Sequence, residues 1–248
     1  LYAILRKIKP DYVFHLAAQI NVRESIKNPL EDCRINILGS LNILDNCVKY
    51  GVKKIIFSST GGAIYGDNVK IPTPEIEKEF PISPYGISKF CIEKYLEFYK
   101  SVYGLNYASL RYSNVYGPRQ NFKGEAGVVA IFINKILNNE QPIINGSGNQ
   151  TRDYIYVKDV VSANLLAMEN LNGIFNVATA KEMSVNDIFR KIVKEMNVSV
   201  KEMHRIEIKG EQMRSCLSWD KISSYGWKPR FDFEKGLKET INYFKNKK

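Results

Sequence analysis

The chain has 248 residues, of which 44% are hydrophobic and 25% charged, the composition of a folded globular protein rather than a disordered one, with enough length for one to two domains. Its formal charge is +10, yet the lysines are spread along the whole chain and cluster only at Lys245-Asn246-Lys247-Lys248, which argues for a solvated surface and against a nucleic-acid footprint. No apolar run approaches the roughly 18 residues of a membrane span, and no secretory signal opens the chain.

Short apolar runs alternate with stretches of helical period, the pattern of βαβ units and a parallel sheet. Residues 12–17 read as a buried strand. Leu30, Cys33, Ile37, Leu41, Leu44 and Val48 mark one apolar face of a helix, and residues 54–58 read as the next strand. After a loop of Gly, Pro and Thr, Ser83-Pro84 supplies a cap and a proline at the first helical position, opening a helix that reaches about residue 103. Residues 107–112 are again strand-like. Later elements are shorter: Asp159 is placed as the cap of a helix over 160–169, and Ser184 with Asp187 as a capping box for 185–196. A last amphipathic helix runs over 233–244. The expected fold class is α/β, a Rossmann-like doubly wound parallel sheet with a smaller α/β substrate domain. Within these residues no strand is followed by a Gly-x-Gly-x-x-Gly turn. Either the protein binds no dinucleotide, or its first βαβ unit is absent from this sequence.

Cys33, Cys47, Cys91 and Cys216 show no ligand-like spacing, and with only His15 and His204 beside them no zinc site is expected. Reduced, buried thiols in a cytoplasmic protein are the expectation. Tyr85 and Lys89 lie one helical turn apart, where a lysine ammonium near a phenol favours phenolate and makes tyrosine a general base. Spacing alone carries little weight, because Tyr50/Lys54, Tyr154/Lys158 and Tyr243/Lys247 share it. Position distinguishes Tyr85: it follows a helix cap, one connection after a strand ending in Ser58-Ser59-Thr60, and open α/β sheets bind ligands at the carboxyl ends of their strands. Thr60 could hold a substrate hydroxyl while Tyr85 takes its proton; equally, these hydroxyls could serve only turn backbone groups.

The wider text resembles a known family. Asp11-Tyr-Val-Phe-His-Leu-Ala-Ala-Gln19 with Ser25, Pro29 and Asn36, then Phe57-Ser-Ser-Thr-Gly-Gly-Ala-Ile-Tyr-Gly-Asp67, Ser83-Pro-Tyr-Gly-Ile-Ser-Lys89, Leu110-Arg-Tyr-Ser-Asn-Val-Tyr-Gly-Pro-Arg119 and Arg152-Asp-Tyr-Ile-Tyr-Val157 resemble, in unbroken order, the extended short-chain dehydrogenase/reductase family and its NAD-dependent epimerase/dehydratase branch. The resemblance implies a catalytic set of Thr60, Tyr85 and Lys89. It implies an NAD site at Leu16, Ala17, Ala18, Asn36, Ser58 and Tyr112 together with Tyr85 and Lys89, and a nucleotide-sugar site at Asn114, Val128, Val129 and Arg152. The implied reaction is 4-epimerisation of a nucleotide sugar of the UDP-glucose/UDP-galactose type through a 4-keto intermediate. Related dehydratases carry an Asp-Glu pair after the Thr, where this sequence has Gly61-Gly62-Ala63, so elimination of water lacks its acid and base. Where the family usually has Arg-Pro-Gly-Asp/Glu, this chain has Ile208-Lys209-Gly210-Glu211; Lys209 or Arg214 is then expected on the diphosphate and Glu211 on the nucleotide ribose.

The expected domains are a cofactor unit of residues 1–116 and 159–178 and a substrate unit of 117–158 and 179–248. The resemblance further implies a homodimer through the helices over 30–50 and 84–103, and weak NAD binding and low activity without the glycine-rich segment. The alternatives are another extended-family activity on a nucleotide sugar, such as a reductase or an epimerase of uronic or N-acetylated sugars, and a non-catalytic module binding RNA or another anion.

Overall fold

The computed structural model describes residues 2–67, 69–122, 127–207 and 212–247. It begins with α1 (Tyr2–Ile8), β1 (Tyr12–His15), α2 (Val22–Lys27), α3 (Pro29–Asp32), a π-helical turn (Cys33–Leu38), α4 (Gly39–Lys49), β2 (Lys54–Thr60), α5 (Gly62–Tyr65), α6 (Pro84–Tyr103) and β3 (Asn106–Tyr112). There follow β4 (Asn114–Tyr116), α7 (Val128–Leu137), β5 (Ile144–Asn145), β6 (Thr151–Tyr156), α8 (Val157–Glu169), β7 (Gly173–Val177) and β8 (Glu182–Ser184). The last elements are α9 (Val185–Met196), β9 (His204–Arg205), β10 (Arg214–Ser215), α10 (Asp220–Ser223) and α11 (Phe233–Asn246).

Strands β1-β2-β3-β7 form one parallel sheet in that order. The central strands β2 and β3 are buried nearly throughout, as continuous apolar runs covered on both faces must be. Alternation then sorts the side chains. Ile55 and Phe57 pack with Leu44, Cys47, Ile92, Leu96 and Tyr99 of α4 and α6, whereas Ile56 faces Ala163 and Ala167 of α8 on the other side. This is the expected doubly wound, Rossmann-like α/β fold. A second sheet, β10-β6-β4 with β8 antiparallel to β6, has its own core of Tyr116, Phe132, Phe189, Ile192 and Leu237, built with α7, α9 and α11. Strand β4 belongs to this second sheet, so the chain leaves the first sheet after Tyr112. No helix among the described residues is long and apolar enough to cross a membrane.

Local capping follows the sequence where partners are close in the chain. Ser83 accepts from the Gly86 amide at 3.2 Å, Pro84 occupies the first turn of α6, and Gly104 ends it at φ 73°. The Ser184/Asp187 capping box is present. Four expectations need correction. The first strand ends at His15, not Ala17. Helix α8 starts at Val157 with no side-chain cap, because buried Asp159 instead accepts the amides of Arg230 (2.9 Å) and Phe231 (3.2 Å). Leu30 is 86% exposed, since the π-helical turn adds a residue and rotates the apolar face after it. Finally, Cys33 and Cys91 are only half-buried, while Cys47 and Cys216 are buried; all four thiols are free.

Candidate active site

The carboxyl edge of the main sheet brings together three of the expected residues. Thr60 ends β2 and pairs in register with Tyr112 of β3. Tyr85 sits in the first turn of α6, its amide capped by Ser25 Oγ at 3.2 Å. Gly86 lets this helix end approach the segment after β2, since a Cβ there would lie 2.2 Å from the Ala63 carbonyl oxygen. The Tyr85 phenol is consequently brought close enough to the Thr60 hydroxyl for that hydroxyl to act on its titration. One turn on, buried Lys89 donates to the Ser58 carbonyl oxygen at 2.7 Å, with its ammonium 4.7 Å from the centre of the Phe57 ring and 6.0 Å from that of Tyr85.

The expected pull of Lys89 towards phenolate is not realised in this geometry. Burial pushes the Tyr85 phenol up to about 12, the Thr60 hydroxyl opposes that rise, and the Asp32 charge adds to it. Burial also brings the Lys89 ammonium down to about 8, against the pull of Asp32 and Glu93. At neutral pH the site therefore presents a phenol next to a threonine hydroxyl, beside a buried ammonium close to its own titration.

The residues expected around the cofactor fall into two groups. Leu16 is 59% exposed just past β1, followed by exposed Ala17 and half-buried Ala18. Ser58 Oγ meets the Tyr112 hydroxyl at 3.3 Å, and that hydroxyl also bonds Asn164. Asn36, by contrast, is fully engaged within the protein. Its amide oxygen accepts the Gln19 N–H at 2.9 Å, and its Nδ2 donates to the Gln19 carbonyl (2.9 Å) and to Asp32 (3.0 Å). It shapes the loop carrying Leu16 to Ala18.

Of the residues expected on the substrate, Arg152 and Arg214 lie on adjoining strands, with Arg214 beside Thr151 and Ser215 beside Arg152. Arg152 donates to the carbonyls of Thr151 (2.8 Å) and Gln212 (2.6 Å). Arg214 is exposed and forks onto Glu182 at 2.5 and 3.0 Å. Asn114 stands on β4 opposite Tyr154. Val129 is buried in the second core and Val128 packs at its margin, so packing accounts for both. Lys209 and Glu211 lie outside the described residues.

The Gly61-Gly62-Ala63 segment has a steric reason. A Cβ on Gly61 would fall 2.1 Å from Leu217 Cδ1, and one on Gly62 3.3 Å from Ser215 Oγ. The wall that Leu217 and Ser215 make here leaves no room for a carboxylate side chain at position 61.

Sequence reasoning missed a buried polar network beside the site. Arg111, fully buried, bonds Glu93 at 2.6 Å, Glu79 at 2.7 Å and the Tyr65 hydroxyl at 2.7 Å. It also missed Asp32 and Ser88, whose side chains meet at 2.6 Å. The available signal was the i, i+4 polar repeat of Asp32, Asn36 and Ser40 inside an apolar helix.

The first sheet thus gathers Thr60, Tyr85 and Lys89 at its carboxyl edge, and the smaller sheet carries Arg152 and Arg214 on adjoining strands. The NAD dependent epimerase/dehydratase family model matches residues 1–178, and the chain belongs to that family. It is 49% identical over 236 residues to a putative UDP-glucose 4-epimerase of Methanocaldococcus jannaschii, covering 95% of this chain and 77% of that protein. Among solved structures it is similar to the UDP-glucose 4-epimerase of Thermotoga maritima with UDP-glucose (TM-score 0.97, 49% identity, 99% of this chain and 81% of that one). It is also similar to the Thermus thermophilus UDP-glucose 4-epimerase in complex with NAD (TM-score 0.94, 38% identity, 98% and 80% covered).

Proposed function

We propose that the protein is an NAD-dependent 4-epimerase of a nucleotide sugar of the UDP-glucose/UDP-galactose type, working through a 4-keto sugar. One observation carries this reading within its family. The Tyr85 phenol and the Thr60 hydroxyl stand together next to a glycine segment packed against Leu217 and Ser215, so a proton can move at O4 while Gly61, Gly62 and Ala63 bring no acid or base to drive elimination of water.

The residues present fit NAD. Among the described residues Lys89 has one acceptor, Ser58 O, for three ammonium protons, which leaves donors suited to ribose hydroxyls. Leu16, exposed at the end of β1, offers an apolar surface to a flat ring. Leu16, Ala17, Ala18, Ser58, Tyr85, Lys89 and Tyr112 would hold the cofactor, with Asn36 fixing the loop. Bound NAD⁺ supplies the hydride acceptor for C4 and a positive charge that favours the phenolate. Thr60 orients the sugar hydroxyl, and Tyr85 Oη takes its proton and later returns it. Asn114 and Arg152 are assigned to the diphosphate with Arg214, which must exchange Glu182 for it, and Glu211 to the nucleotide ribose. Residues 1–112 and 159–178 are assigned to the cofactor, and the remainder, including β4 with Asn114, to the sugar nucleotide. A homodimer is supported by exposed Tyr95, Phe98 and Val102 along one face of α6, near exposed Ile35 and Leu38. The free thiols support a cytoplasmic location.

The test incubates the protein with UDP-galactose and NAD⁺ and follows C4 stereochemistry by NMR. UDP-glucose should appear, and Tyr85→Phe should abolish it. Absence of any change with NAD bound would replace this substrate by a uronic or N-acetylated nucleotide sugar.

A further inference from the structure

A helix ordinarily turns its apolar stripe inward, yet the one spanning α3, the π-helical turn and α4 buries polar residues. Asp32, Asn36 and Ser40 are 1%, 4% and 3% exposed. Polar groups in such a place must be satisfied, and here they are satisfied by one another and by two other segments. Asp32 Oδ1 accepts from Gln19 Nε2 at 2.9 Å and from Asn36 Nδ2 at 3.0 Å, and its Oδ2 accepts from Ser88 Oγ at 2.6 Å. Asn36 returns two bonds to the Gln19 backbone, and Ser40 joins His15 to the Asn36 carbonyl. With both oxygens accepting from donors, Asp32 is a carboxylate.

All three partners of Asp32 are neutral, and among the described residues no lysine or arginine pairs with it directly. A buried carboxylate without a counter-charge is costly. The cation that faces it is on α6. Tyr85, Ser88 and Lys89 stand at i, i+3 and i+4 and share one helix face, so the bond from Ser88 sets Asp32 against the face bearing the phenol and the ammonium. Its charge is felt by both groups. Of the other titratable groups around it, Glu93 also pulls on the ammonium, after Asp32. His15 is neutral, brought down to about 4 by burial and by Lys89. Glu93, further along α6, is paired with Arg111. Glu31 and Arg34, on the outside of the same helix, pair with each other. Cys33 and Cys91 are free thiols, and burial raises that of Cys91.

We propose that Asp32 is a positioning residue of the reaction, the buried counter-charge of the Lys89 ammonium and the joint that locks the loop after β1 to the catalytic helix. This rests on the reading of Tyr85 and Lys89 as the reacting pair. In chemical terms, Asp32 keeps the ammonium charged across the working pH range and holds the cofactor loop, through Gln19, in register with Tyr85.

The test is Asp32→Asn, which keeps the shape and closes the network, with the amide oxygen towards Gln19 and Asn36 and the amide N–H₂ donating to Ser88 Oγ. The Nζ titration of Lys89, followed by ¹⁵N NMR on the cofactor-free protein, should move to lower pH by roughly one unit, the scale of a lost neighbouring charge. The high-pH limb of kcat should move with it. A merely structural role would lower kcat and leave both titrations in place, and that outcome overturns the proposal. Tyr85→Phe is measured beside it: if that variant keeps its turnover, the reading of the reacting pair fails independently of Asp32. If Asp32→Asn does not fold, Ser88→Ala cuts the tether while keeping both charges. A smaller shift of Lys89 in the same direction supports the proposal, and an unmoved titration overturns it.

Discussion

The Lys89 ammonium binds the Ser58 carbonyl oxygen at 2.7 Å rather than the Tyr85 hydroxyl, so it fastens the end of β2, two residues before Thr60, to the first turns of α6. Because burial brings this ammonium down to about 8, with Asp32 and Glu93 opposing, its charge is lost as pH rises through that value. Turnover is therefore expected to be steady near neutrality and to fall above pH 8. Lys89→Met should lower kcat by about a hundredfold or more, the scale of a lost proton-transfer partner, and should remove the high-pH limb. A pH–rate profile of both proteins checks this; a limb that persists in Lys89→Met assigns it to another group.

What was legible in the sequence follows how local each feature is. Tyr85 and Lys89 share a helix turn, Ser83-Pro84 caps it, and Thr60 closes an apolar strand; each depends on neighbours within a few residues. The Asp32–Ser88 bond joins residues 56 apart and the Arg111–Glu93 pair residues 18 apart. Neither is visible until α3 and β3 have packed on α6. The same holds for Asp159, whose neighbours in sequence suggested a cap while its partners, the amides of Arg230 and Phe231, come from beyond residue 229. The π-helical turn hid the inward polar stripe, because a uniform helical period placed Leu30 inside.

Gly61 should tolerate no side chain while Leu217 stands opposite. The Cβ of an alanine would lie 2.1 Å from Leu217 Cδ1 and 2.9 Å from its Cγ, and Leu217 is buried at 1% exposure, so the whole side chain must shift. Gly61→Ala is expected to cost about 1–3 kcal/mol of stability, as overpacked cores do. Gly61→Ala in a Leu217→Ala background should cost distinctly less. Urea unfolding of the two singles and the double gives the coupling; simple additivity would mean that Leu217 is not the obstacle.

Arg111 and Glu93 are both fully buried, 2.6 Å apart. Burial alone would bring the guanidinium down, but the bonds from Glu93 more than reverse this and hold it firmly protonated. Glu93→Gln leaves that charge with only partly exposed Glu79 and is expected to destabilise the fold by about 3–5 kcal/mol. Arg111→Met combined with Glu93→Gln should recover part of this, and only part, because Tyr65 and Glu79 lose the Arg111 donors they now have. Thermal unfolding of the three variants distinguishes the cases: a double variant worse than Glu93→Gln alone would show that the other bonds to Arg111 outweigh the ion pair.

His15 should make the protein acid-sensitive. Its Nε2 lies 2.7 Å from Ser40 Oγ, whose own proton goes to the Asn36 carbonyl at 2.5 Å, so the ring is the donor, neutral with its proton on Nε2. Burial first, and the Lys89 charge second, bring it from 6.5 to about 4. A base held below its unfolded value contributes stability that is present in full above pH 6.5 and is lost as pH falls through about 4. Over that window the loss approaches roughly 3 kcal/mol, at about 1.4 kcal/mol per pH unit. His15→Gln keeps an N–H donor for Ser40 without a titrating ring. Urea midpoints at pH 7 and pH 4.5 should therefore lie closer together in this variant than in the wild type. Equal spacing in the two proteins would place the acid sensitivity in other groups and leave His15 with only its hydrogen bond.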